Sequence, residues 1–293
     1  MNKDLRKGII YLFVTALLFS TNIVLGKHLV NDIPPFTLAL YRWGSVFIIH
    51  TLIFFPKIYL AKDLKRNMPY IAIAGFCAMV ISGGVVYLAA HYTNANNMAI
   101  VYCTSPLLIL LLGRIFFGQE IKRMQLLGMI LAFTGVCVIM VKADIDLLLN
   151  LKFNLGDLLM LCAATSWAVY SLIMKYKVEA QNEVSQFAIL TFCGAFFLIF
   201  PASYENDFTS GFELKHLPYL LALILFPSFL AFRLYLKTLR LIGPALTGLV
   251  VYLAPIFSAV FAYILLDETL QYYHIIGAVI IYLGIFISTR AAS

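Results

Sequence analysis

One arginine, Arg42, interrupts the apolar run FTLALYRWGSVFIIHTLIFF at residues 36–55. A guanidinium there is permanently charged, and its planar fork can hold a carboxylate or a phosphate through two parallel hydrogen bonds. The other reading is a clamp on carbonyl oxygens of neighbouring helix ends. No acid lies mid-run to pair with it, since all fourteen Asp and Glu fall in loops or at run ends. Eight residues further on, His50 is a candidate proton site, because imidazole titrates near neutral pH. A hydrogen-bonded interfacial histidine is its plainer reading.

Other polar and aromatic residues share helical faces with a plausible chemistry of binding. Phe19, Asn22 and Gly26 are spaced i, i+3, i+7 and so lie on one face of a helix. Their equivalents 148 residues later are Trp167, Tyr170 and Met174. Tyr102 and Thr104 precede Pro106, and Tyr252 precedes Pro255. A proline inside a helix frees a carbonyl one turn earlier, which can take a ligand or let the helix bend. The candidate substrate-binding set is therefore Phe19, Asn22, Arg42, Tyr102, Trp167, Tyr170 and Tyr252, with Pro106 and Pro255 as gating positions and His50 as the proton site. Tyr87 and Tyr235 read as interfacial aromatic residues, Asn96 and Asn97 as helix caps, and Glu120 and Glu268 as structural groups, with Arg114 or Arg123 as partners for Glu120.

What must position these residues follows from composition. Of 293 residues 62% are hydrophobic and only 12% charged, with a mean hydropathy of +0.93. A soluble chain carries about 25% charged residues, so the solvent for most of this surface is a bilayer. The net charge of +7 sits in short clusters between apolar runs, a pattern of membrane orientation rather than of nucleic-acid binding. The five cysteines all fall inside apolar runs without a CxxC pair and read as small core residues. No metal-ligand motif, HExxH, GxSxG or DxxxD set is present, so neither an enzyme nor a metal or other cofactor is expected, and no filter-like stretch suggests a channel.

At about 20 residues per crossing, ten spans are expected, near 8–29, 34–55, 69–90, 97–117, 124–141, 155–175, 185–203, 217–236, 244–266 and 272–289. With the N-terminus inside, sixteen of the 21 Lys and Arg fall on the inner side and four on the outer, with Arg42 within the membrane. Both termini are then cytoplasmic. The first span reads as a helix that stays, not a cleaved signal.

The chain also repeats itself. At an offset of 148, GIIYLFVTALLFSTNIVLGK (8–27) aligns with GDLLMLCAATSWAVYSLIMK (156–175), and at 149 Pro106, Gly128 and Gly135 fall on Pro255, Gly277 and Gly284. Five spans per copy is odd, so the second copy, 144–293, would be inverted relative to the first, 1–143. The expected fold is an all-α integral membrane protein of two inverted five-helix repeats.

The segments TNANNMAIVYCTSPLLILLLGRIFFGQEIKRMQLLGMILAFTGV and IGPALTGLVVYLAPIFSAVFAYILLDETLQYYHIIGAVIIYLGI each resemble the end of an EamA domain of the drug/metabolite transporter superfamily. Their Pro-to-Glu distances differ by one residue. The resemblance implies a secondary transporter of small metabolites in the inner (plasma) membrane, amino acids or related zwitterions and small anions, working by alternating access and directed outward. It also implies a homodimer contact through spans 5 and 10. With no mid-membrane acid visible, uniport, exchange or weak coupling is the expected energetics. A carrier of phosphorylated or nucleotide-linked anions is the alternative, disfavoured because only Arg42 lies deep.

Overall fold

In hydrocarbon a backbone has no water to bond, so each apolar run must close its hydrogen bonds on itself as helix. The computed structural model describes residues 3–58, 62–144, 154–178, 182–205, 211–266 and 269–292, and all regular structure among them is helical. Helix α1 spans Lys3–Lys27 and α2 Pro35–Phe54. Helix α3 begins as Lys62–Gly75 and continues through a π-helical stretch, Phe76–Val85, into Val86–Ala89. Next come α4 (Ala95–Tyr102), α5 (Ser105–Phe117), α6 (Arg123–Met140), α7 (Leu155–Tyr176) and α8 (Glu183–Ser203). The last four are α9 (Leu217–Leu223, continued by the π-helical Ile224–Leu230), α10 (Ala231–Gly248), α11 (Val250–Leu266) and α12 (Tyr272–Ala292).

Among the described residues eight helical stretches are long and apolar enough to cross a membrane, and Val250–Phe261 is a shorter apolar helix. Large apolar side chains such as Leu52, Phe116 and Ile275 stand exposed on the outside of the bundle. That surface suits lipid, and the chain is a multi-pass membrane protein.

Helix α1 packs on α9, α10 and α11, while α7 packs on α3, α4 and α5. Between these two groups α2 and α8 pack on each other. Helices α6 and α12 pair through glycine, antiparallel. A Cβ at Gly128 would lie 2.6 Å from the Gly284 carbonyl, and one at Gly135 would lie 2.8 Å from that of Gly277. Only a glycine lets two backbones come so close.

Several features recur at the sequence offset. The π-helical stretches begin at Phe76 and Ile224, 148 residues apart. Gly156 rests on Thr93, and Gly8 rests on Ile242. The ends of α2 and α8 are tied as well: Glu205 caps α2 by accepting from the N–H of Phe36 and Thr37 at 3.0 and 2.8 Å, and Asn182 donates to the Lys57 carbonyl at 3.0 Å.

Caps depart from the sequence expectation. Asn94, not Asn96 or Asn97, caps α4 by accepting from Asn97 N. The Asn97 side chain is freed to donate to Asp157, a buried acid at the start of α7 that also accepts from Thr93 Oγ1 at 2.7 Å and Asn154 N at 3.0 Å. A capping box made by Asn154 and Asp157 starts that helix. Among the described residues the N-cap position of α6, Lys122, makes no side-chain cap, and no ion pair joins Glu120 to Arg114 or Arg123. Glu268 lies outside the described residues.

Candidate functional site

Two helices deliver polar side chains to Arg42, and a third extends the network. Its Nε donates to Ser228 Oγ on the π-helical stretch after α9, and its Nη1 donates to Tyr87 Oη at 3.1 Å. Tyr87 donates in turn to Asn22 Oδ1 on α1 at 3.2 Å. Ser228 also donates to the Leu223 carbonyl, five residues back, which the π-helical register brings beneath its hydroxyl. The guanidinium lies 4.9 Å from the Trp43 ring centroid, a cation–π distance. No carboxylate pairs with Arg42 among the described residues.

Asn22, Arg42, Trp43 and Tyr87 border a cavity of about 350 Å³, the size of a site for a small molecule. Among the described residues Arg42 is the one charged residue that lines it. Its polarity is one-sided. Asn22, Arg42, Ser82, Tyr87 and Tyr102 come from the first half of the chain, with Ser82 and Tyr102 sharing a hydrogen bond of 2.8 Å. The second half supplies Met160, Trp167, Phe232, Val250, Val251 and Ala254, which offer carbon surface and a single indole N–H. Trp43 Nε1, also at the wall, has no hydrogen-bond partner among the described residues.

The floor is aromatic. Phe232 meets Phe19, Trp43 and Trp167 edge-on, with ring centroids 5.4, 4.5 and 5.5 Å away. Beneath it Tyr235 and Ser171 share a buried hydrogen bond of 2.7 Å. On the other side the cavity reaches Val30, Ala90 and Ala95, at the ends of α1 and α3 and the start of α4. It is thus closed toward one end of the helices and extends to the other.

The family model for EamA-like transporters matches this chain twice, at residues 6–141 and 154–290. The chain belongs to the EamA-like transporter family. It is 26% identical to an uncharacterized transporter of Clostridium kluyveri, an alignment covering 97% of this chain and 93% of that protein. An uncharacterized transporter of Archaeoglobus fulgidus is 27% identical over 95% and 96%, and YyaM of Bacillus subtilis, likewise an uncharacterized transporter, 22% over 89% and 86%. A solved crystal structure with a TM-score of 0.77 covers 98% of both chains at 19% identity, a likeness of fold alone.

Within this EamA-like fold, five of the seven candidate binding residues line the cavity: Phe19, Asn22, Arg42, Tyr102 and Trp167. Two do not. Tyr170 is fully buried behind Trp167 and stacks on Tyr235 at 6.0 Å, while Tyr252 is turned toward Phe133 of α6. Tyr87 and Tyr235 are buried hydrogen-bonding residues, not interfacial ones. His50 is also fully buried, away from the cavity lining, where Nε2 lies 2.9 Å from the Val184 carbonyl and the ring packs against Phe54, Phe187 and Phe229.

The two prolines differ in placement. Pro106 sits in the first turn of α5, just past a break at Cys103 and Thr104. Pro255 lies inside α11, and the corresponding break falls earlier, at Leu249. The breaks touch: a Cβ at Gly248 would lie 3.2 Å from Pro106 Cα, and Cys103 Sγ is 3.8 Å from the Val251 carbonyl. Gly243, with φ 77°, makes the turn into Pro244, so the last part of α10 starts anew there.

Proposed function

We propose that this EamA-like protein is a secondary carrier for a small amphipathic carboxylate, an amino acid or related small anion, held by Arg42 at the head and by the aromatic floor along the body. The observation that carries the reading is the one-sided cavity, with one unpaired guanidinium among neutral polar groups on one wall and carbon surface on the other. A carboxylate supplies the charge that the protein itself withholds from Arg42. Phosphorylated or nucleotide-linked anions fit less well, because a multiply charged ligand would be left with a single cation.

We further propose ten membrane-spanning helices in two inverted repeats, 1–143 and 144–293, a reading supported by the matched π-helical stretches and by the Gly8 and Gly156 contacts. In this scheme the group around α1 rocks against the group around α7 while α2 and α8, tied at both ends, hold the frame. The charge bias puts both termini in the cytoplasm of a cell with the protein in its inner (plasma) membrane, and the cavity then faces outward. Export is the direction that the family resemblance implies. A second copy would meet exposed faces of α6 and α12, for example Leu127 and Val279, since their glycine faces are taken up by each other.

The test is metabolite profiling of medium and cell extract from cells making wild type, Arg42→Ala or neither, at matched membrane levels. A carboxylate that changes compartment only with wild type supports the proposal. The same compound moved equally by Arg42→Ala reduces Arg42 to a structural clamp and removes its basis.

A further inference from the structure

A second cavity, of about 390 Å³, lies at the other end of the molecule, where the start of α3 meets the end of α7. Arg66, Asn67, Tyr70, Tyr176 and Lys177 line it, so among the described residues two cations face it and no acid does. Its wall is aromatic. The Lys177 ammonium lies 6.0 Å from the Tyr70 centroid and 5.8 Å from that of Phe117, and Phe117 stacks on Tyr176 at 4.7 Å. Arg66, Tyr70, Tyr176 and Lys177 are all exposed. None of them belongs to the carrier cavity, and the transport reading uses none of them.

Depth and direction give this pocket a ligand. Arg66 sits in the first turn of its span and Lys177 directly follows the last residue of its own, at the level of lipid headgroups, where aromatic side chains also collect. From Arg66 the spacing i, i+4, i+7 runs through Tyr70 to Ile73, and both side chains are exposed along the same face of α3, with exposed Phe76 one turn further on. The track leads from the cations toward the middle of the membrane. At the offset of 149 that sets Pro69 and Tyr70 on Pro218 and Tyr219, Arg66 falls on Lys215, which is paired with Glu213 at 3.1 Å and Asp32 at 3.9 Å, whereas no ion pair among the described residues joins Arg66 or Lys177 to an acid.

We propose that this pocket binds the phosphate of an anionic phospholipid between Arg66 and Lys177, with an acyl chain laid along Tyr70, Ile73 and Phe76. Two cations at headgroup depth attract the phosphate and the net negative charge of such a lipid, and the exposed apolar track distinguishes a lipid from a free anion.

Native mass spectrometry of the full chain tests this, with phosphatidylglycerol, phosphatidylcholine or inorganic phosphate added to separate samples. A charge-matched control, Lys65→Gln with Arg123→Gln, removes two cations from the same end that do not line the pocket. The expected result is retention of phosphatidylglycerol over phosphatidylcholine, reduced about tenfold by Arg66→Gln with Lys177→Gln and little changed in the control. Equal retention of the two lipids, or equal loss in both double variants, overturns the site. Retention of inorganic phosphate as strong as that of phosphatidylglycerol would keep an anion site and overturn its assignment to lipid.

Discussion

Arg42 Nη1 donates to Tyr87 Oη across 3.1 Å, and Tyr87 passes its own proton toward Asn22 Oδ1 at 3.2 Å. The phenol thus orients the guanidinium with neutral oxygen rather than with a carboxylate. Orientation is gained while the positive charge stays available to a ligand.

Tyr87→Phe should therefore raise the KM for the transported compound about tenfold, the loss of one hydrogen bond to a charged group, at unchanged membrane level. Tyr235→Phe, in the repeat mate bonded to Ser171 below the floor, should leave KM unchanged. Initial rates over a range of substrate concentration compare the two.

Asp157 accepts from Thr93 Oγ1, Asn97 Nδ2 and Asn154 N while buried at the start of α7. Asp157→Ala removes that cap and leaves its donors unpaired, a loss of about 1–2 kcal/mol. A drop of several degrees in the melting temperature in detergent is expected, while Glu120→Ala should melt with wild type.

Glycine substitutions should split by space. Gly135→Val drives a side chain into the Gly277 backbone and Ile281, so the α6 and α12 pair should separate and the protein lose roughly 1–3 kcal/mol. Gly44→Ala in α2 meets nothing within 4 Å and should gain up to about 1 kcal/mol from helix propensity. Thermal unfolding of the two purified variants gives both signs in one experiment.

His50 sits off the cavity against three phenylalanines. His50→Gln, which keeps a donor for the Val184 carbonyl, should leave the pH profile of transport unshifted. A shift of that profile would return His50 to the proton role.

Much of this arrangement is legible in the sequence, because in a membrane length and hydropathy define helices and a fixed offset marks recurring features. Phe19, Asn22, Arg42 and Trp167 were readable from helical spacing and from the rarity of a charge in hydrocarbon. Tyr87 was not, since a tyrosine near a span end looks interfacial until a neighbouring helix buries it. Ser228 was hidden more deeply: its position opposite Arg42 depends on a π-helical register that no 3.6-residue period reveals. Tyr170 and Tyr252 stand outside the cavity lining for a related reason. The repeat fixes their depth, but small rotations of each helix decide whether a ring faces the cavity or the next layer.

The most direct measurement uses the chain's two tryptophans, Trp43 and Trp167, which both line the cavity. Their fluorescence should respond to ligand with little background from elsewhere. Purified wild type and Arg42→Gln would be titrated with small aromatic and aliphatic carboxylates and with the corresponding neutral amides. The account expects a saturable change with at least one carboxylate, weakened about tenfold or more in its amide and in Arg42→Gln. An amide that binds as tightly as its carboxylate, or an Arg42→Gln protein that binds as well as wild type, would contradict it.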